Sequence, residues 1–139
     1  MATYNKFNDF TNQLDRGTHA WATHTFKIAL SNTAPTAANS ILTDITQITA
    51  ANGYVAGGNA TTITVSTATG TSTIQGSQVV FTATGAVGPF QYAVLYNDTA
   101  ASKNLVAWWD YGSAVTLSSG DTFTVQFNSA NPGTIFTLT

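Results

Sequence analysis

The residues in this chain whose types could do chemistry are few, and their spacing restricts what they could do. His19 and His24 stand five residues apart. A metal-binding histidine pair wants i, i+4 on a helix or i, i+2 on a strand, with a third ligand close by. Five fits neither, so ordinary polar histidines are expected. Asp98 and Asp110 could form a carboxylate pair, but glycoside hydrolysis needs two carboxyl groups at a set separation, and nothing in the spacing fixes one. All six acids fall at apparent turns or strand ends, where Asp bonds its own backbone. The chain has no cysteine, and it lacks a nucleophile elbow, a phosphate-binding glycine loop and an EF-hand pattern. No catalytic residue, no metal and no cofactor is expected.

The densest feature is Trp108-Trp109-Asp110-Tyr111-Gly112. Adjacent residues on a strand point to opposite faces, so one tryptophan should enter the core and the other face outward. An outward Trp beside Tyr111 could stack on a sugar ring or anchor a protein contact. The alternative is that both are buried, one of them beneath a loop or helix.

These residues need elements to hold them. Tyr4, Phe7, Phe10 and Leu14 recur at three- and four-residue intervals, which predicts a short amphipathic helix. Thr3 would N-cap it, Arg16 suits its last turn and Gly17 ends it. Such a helix is marginal alone and must pack on something, either its own sheet or a partner chain. From Thr25 onward the period changes to two. Phe26, Ile28 and Leu30 alternate, as do Ile63 with Val65, Val79 with Phe81 and Ala83, and Phe123 with Val125 and Phe127. Phe90, Tyr92, Val94 and Tyr96 are expected on one face, with Gln91, Ala93, Leu95 and Asn97 on the other. Ile41, Leu42, Ile45 and Ile48 fit a helical turn better than a strand. Gly, Pro and Asn punctuate the series at 52–53, 57–59, 85–89, 119–121 and 131–133. The expectation is a mainly β chain: an antiparallel β-sandwich, jelly-roll or Ig-like, with a short N-terminal amphipathic helix. Residues 1–139 form a single domain in this reading, with 1–24 the helix and arm and 25–139 the sandwich.

Composition bounds the function. With 139 residues, 43% of them hydrophobic, there is enough chain for one buried core. Only 7% are charged, against about 25% in ordinary soluble domains. Glu is absent, and Thr, Ser, Ala and Asn take the places where charges usually stand. A surface so short of charge repels its neighbours weakly, which suits one meant to lie against other protein. β-strands that simply favour Thr and Val would give the same composition. Four scattered cations (Lys6, Arg16, Lys27, Lys103) and a net charge of −2 argue against nucleic acid. No apolar run approaches the roughly 20 residues of a membrane-spanning helix, and the first residues lack the pattern of a secretory signal. Synthesis and folding in the cytoplasm are expected.

The opening YNKF, the stretch TFKIALSNTAPTAANSILTDITQITAANGYVAGG and the later LVAWWDYGSAVTLSSGDTFTVQFN together resemble a family of small tailed-phage capsid accessory proteins, known as cement or decoration proteins. That family carries YNKF, KVAL-NTAP, DITEI, NGY-AGG and WWDYG motifs. Two departures stand out: Gln47 replaces an acid, and TGTSTIQGSQ matches no motif. The resemblance implies a β-sandwich on the outside of the mature shell at capsomer junctions. Its partners would be the major capsid protein and copies of itself, a trimer above all, and its place the virion surface. It implies no catalytic residues. The candidate anchor is Tyr4, Phe7, Phe10, Leu14 and Trp21, with Trp108 or Trp109 at an oligomer seam and Tyr111 a further partner-binding candidate. Other readings are a carbohydrate- or receptor-binding module of a phage fibre, and a head–tail or tail-tube subunit.

Overall fold

The computed structural model describes residues 2–139. Ten strands form three antiparallel sheets: β1 (Tyr4–Lys6), β2 (Phe26–Ser31), β3 (Asn59–Thr61), β4 (Ile63–Ala68), β5 (Thr71–Gly76), β6 (Val79–Thr82), β7 (Val87–Asn97), β8 (Leu105–Leu117), β9 (Thr122–Val125) and β10 (Gly133–Leu138). A five-stranded sheet in the order β1-β8-β7-β2-β3 faces a three-stranded sheet, β10-β5-β4, and a two-stranded one, β6-β9. The fold is therefore a β-sandwich with one short helix, α1 (Asn8–Asp15).

The central core lies between the sheets. Phe26, Ile28 and Leu30 from β2 meet Val79 and Phe81 from β6, with Phe127 and Ile135 closing it. In β6 the alternation is visible directly: Val79 and Phe81 are buried while Val80 is exposed. The opposite face of the five-stranded sheet is also covered. Ala29, Val94, Tyr96 and Leu105 pack there with Phe7, Leu42 and Ile45. Leu42 opens a 3-10 turn at Leu42–Asp44, and Ile45 follows it. Asp44 fixes that turn by accepting the amides of Ser40 at 2.8 Å and Ile41 at 3.2 Å, contacts that hold its carboxyl below the usual range.

Two expectations are corrected. The helix does not begin at Thr3, because Tyr4–Lys6 is the edge strand β1, paired with β8 (Tyr4 opposite Trp109, Lys6 opposite Ala107). Free backbone groups on β8 outweigh a helical period that only four residues support. Tyr4–Lys6 thus belong to the sheet and not to the helix and arm expected over 1–24. Phe7 takes the position before the helix without a side-chain cap; the amide of Asn8 bonds the Ala37 carbonyl at 2.9 Å instead. The predicted stop does hold. Gly17 has φ +75°, and its amide bonds Leu14 O while that of Thr18 bonds Gln13 O, a Schellman arrangement.

The second correction is in β7. Phe90 faces the central core together with Ala93 and Leu95, and apart from Val94 and Tyr96. The β7–β8 register shifts between Phe90 and Tyr92, and an irregularity of that kind reverses which face later residues occupy.

Candidate functional site

The same irregularity shapes the end of the sandwich. Tyr92 pairs with Asp110 but Phe90 pairs with Val115, so residues 111–114 of β8 stand against one residue of β7. This bulge is held by Asp110, whose Oδ1 accepts the Gly112 amide at 2.7 Å and the Gln91 Nε2 at 2.9 Å. Gly112 has φ +95°, and a Cβ there would meet nothing within 4 Å. Backbone conformation, not crowding, requires the glycine. Asp110 therefore lies inside a strand, not at a turn or strand end as expected, and its work is to staple the bulge.

Trp108 and Trp109 point to opposite faces of the sheet, as adjacent strand residues must. Trp108 packs on Phe7 in the outer cluster, ring centroids 4.6 Å apart. Trp109 turns to the central core, against Phe127 at 5.3 Å and edge-on to Tyr4 at 5.9 Å. Both tryptophans are half-buried. Tyr111, lifted by the bulge, is 58% exposed and meets Phe123 edge-on at 5.4 Å.

Between Trp109, Tyr111, Phe123 and Phe127 opens a cleft of about 220 Å³, floored by Phe90 and rimmed by Gln126 and Asn128. Phe127 is fixed from behind: a Cβ on Gly76 would come within 2.6 Å of its ring, and one on Gly133 within 1.6 Å of its carbonyl oxygen. Tyr111 also lines a second, open hollow with Thr3, Asn5 and Asp110. One exposed tyrosine thus separates an aromatic cleft from a polar one. Burial beside Trp109 pushes the Tyr4 phenol up to about 12.

The candidate residues fall into three groups. Tyr4, Trp109 and Tyr111 meet at the bulged end. Phe7 pairs with Trp108 on the outer face, and Phe7 is fully buried. Phe10, 3% exposed, joins Trp21, Phe26 and Phe136 within the chain's own core; Leu14 packs there partly buried. Phe7 and Phe10 are therefore not free to anchor a partner, because the helix covers its own sandwich. Phe123, Phe127 and Gln91 also belong to the bulged end, although their alternation in sequence signals only a strand and a turn.

No group of three or more candidate metal ligands occurs among the described residues, the histidines included. The two histidines converge on Asn97. Its amide nitrogen lies 2.9 Å from His24 Nδ1 and 3.2 Å from His19 Nδ1, and its oxygen accepts the amides of Thr99 and Ala100. Those two backbone amides fix the orientation of the Asn97 side chain, so its nitrogen is the donor, with two hydrogens facing three acceptors: the Thr18 carbonyl at 3.1 Å and the two Nδ1 atoms. His19 is 5% exposed, and burial together with nearby His24 lowers its pKa to about 4, against a weaker upward pull from Asp9. Its ring stacks on Trp21 at 5.6 Å.

The remaining motif residues clamp the fold. Gln47 Oε1 accepts the Tyr54 hydroxyl at 2.9 Å and the Gly57 amide at 2.7 Å. Tyr96 donates to the Gly57 carbonyl at 2.7 Å. Tyr54 is 3% exposed, and its oxygen accepts the Leu30 amide. A Cβ on Gly58 would sit 1.7 Å from the Ile28 carbonyl oxygen, so only glycine allows this loop to reach β2. Comparison with known protein families, with curated proteins and with solved structures found no match to this chain.

Proposed function

We propose that this protein is a cement protein of a tailed-phage capsid, binding the outside of the mature shell at capsomer junctions. The observation that carries the reading is Tyr111: a bulge built from the WWDYG residues holds it 58% exposed beside an aromatic cleft, on a protein with 7% charged residues. An amphipathic aromatic ring raised above a nearly neutral surface is what a protein–protein anchor requires. The major capsid protein is the partner in this reading, together with other copies of the chain. A trimer would match the symmetry of a three-fold junction. The account involves neither nucleic acid nor membrane; no helix among the described residues is long and apolar enough to cross one.

The mechanism is mass action. A protein that binds only the expanded lattice stabilises that lattice by its binding free energy. Repetition over a symmetric surface turns modest contacts into avidity. The anchor sits at the bulged end, around Tyr111 and Trp109, and not on the helix. Co-sedimentation of the purified protein with expanded shells tests this. Binding should be saturable and should weaken at least about tenfold with Tyr111→Ala, the loss of one hot-spot aromatic. Tight binding that ignores the substitution would move the anchor elsewhere.

The cleft favours one second reading, recognition of a saccharide by a phage fibre module. A space of about 220 Å³ lined by Trp109, Tyr111 and Phe123 suits the apolar face of a sugar ring, with Gln126 and Asn128 placed for its hydroxyls. A glycan screen separates the two, since a cement protein binds shells and no sugar.

A further inference from the structure

From residue 45 to residue 97 the chain carries no charged side chain. Within that stretch β4 forms one edge of the three-stranded sheet, pairing with β5 alone. Thr64, Val65, Ser66, Thr67 and Ala68 are all exposed, so both faces of the strand look into solvent. The β4–β5 hairpin therefore stands clear of the sandwich body at its tip. Its register is regular from Ile63–Gly76 to Ala68–Thr71, without a bulge. Proteins normally blunt such an edge with a lysine, a proline, a bulge or a covering loop. This edge has none of the first three, and no covering segment bonds it among the described residues.

The hydrogen-bonding direction of each residue follows from the turn. Thr69 (φ +50°) and Gly70 (φ +79°) make a two-residue loop of the I′ kind, so Ala68 and Thr71 form a hydrogen-bonded pair. Alternation along an antiparallel ladder then turns Ser66 and Thr64 toward β5 and leaves the amides and carbonyls of Val65 and Thr67 facing outward. The bond from the Ser77 amide to the Thr62 carbonyl, 2.9 Å, falls on the same alternation.

We infer that this edge pairs with the same edge of a second copy, β4 antiparallel to β4, joining two three-stranded sheets into one. The occupant is another copy because the edge is complementary to itself. A two-fold through Val65 sets Val65 against Val65 and Ile63 against Thr67, with no charge on either side to desolvate or repel. A net charge of −2 adds little opposition between whole molecules. The strand is short, and the area covered falls below the roughly 800 Å² per partner of a stable complex. The pairing is accordingly weak in solution, with a Kd of roughly micromolar to millimolar, and gains strength where copies are held in an array. It gives a geometry to self-association but is measured without shells, so it and the cement reading fail separately.

Amide exchange of the purified protein by NMR, from about 10 µM to about 1 mM, is the test, alongside sedimentation. Exchange at Val65 and Thr67 should slow as concentration rises, while Ser66 stays protected throughout by β5. Thr67→Pro removes an outward amide and leaves the β5 ladder intact; Val65→Lys sets two charges opposite one another. Each should weaken the dimer at least about tenfold. A monomer at every concentration with Val65 and Thr67 always exchanging freely overturns the inference. So does a dimer unaffected by both variants.

Discussion

The Asp110 carboxylate accepts the Gly112 amide across a single intervening residue, Tyr111, at 2.7 Å. That bond decides where Tyr111 points. The side chain between an Asp and the amide two residues on is carried outward by the local turn, and here the turn is a strand bulge. Asp110→Ala should raise the exchange rate of the Gly112 amide at least about tenfold, an effect read directly by NMR. Gly112→Ala asks a side chain to adopt φ +95° and should cost about 1–2 kcal/mol in urea unfolding. An unchanged midpoint would mean that the backbone can relax out of the bulge.

Phe7 and Phe10 separate folding from binding. Phe7 fills the outer cluster against Trp108, and Phe10 the central core against Trp21 and Phe136. Replacing either by Ser leaves a cavity and a buried hydroxyl, at a cost of about 3–5 kcal/mol. The double variant should be largely unfolded by near-UV circular dichroism. Tyr111→Ala should change the unfolding midpoint little, because most of that ring is already in water. A folded double variant would show that the helix is dispensable to the core.

Gln47 acts through a single oxygen, so an acid at this position should serve as well. Both bonds it makes to Tyr54 and Gly57 are accepted by Oε1, an atom that a carboxylate also provides. Gln47→Glu should stay within about 0.5 kcal/mol of the parent protein at pH 7, whereas Gln47→Ala strands a buried hydroxyl and an amide and should cost about 2 kcal/mol. Equal losses from the two substitutions would contradict the shared-acceptor account.

Acid should weaken the fold through His19. Its pKa is near 6.5 in the unfolded chain and about 4 when folded, so between these values the unfolded chain binds the proton that the folded one refuses. The contribution is complete above about pH 6.5 and declines as pH falls toward 4. By pH 5 the loss should be about 1–2 kcal/mol, and His19→Gln should remove most of that slope. Asp98, paired with Lys103 and Lys27, and Asp44 have lowered pKa values, so they remain ionised over this range and do not confuse the comparison. A slope unchanged in His19→Gln would place the titrating group elsewhere.

The fold was legible wherever alternation ran unbroken. Val79, Phe81 and Ala83 face one way in sequence and in structure, as do Phe26, Ile28 and Leu30. Legibility failed where a tertiary partner overrode the local period. Tyr4 keeps helical spacing with Phe7 yet lies in a strand, because the edge of β8 was open to it. Phe90 changes face because β7 and β8 slip past one another, and no residue type in FQYAVLYN announces the slip. The candidate site was half legible. The opposed tryptophans follow from strand geometry alone, but the cleft needs Phe123 and Phe127 brought from a different sheet. The convergence of His19 and His24 on Asn97, more than 70 residues away in the chain, has no local signal.

The copy number of this chain in purified particles, measured by quantitative mass spectrometry against the major capsid protein, tests the cement reading most directly. The account predicts a ratio of about one third or more, as occupation of symmetric junctions across a whole shell requires. A handful of copies per particle would contradict it in favour of a tail or fibre role for Tyr111 and its cleft, and complete absence from particles would remove the structural role altogether.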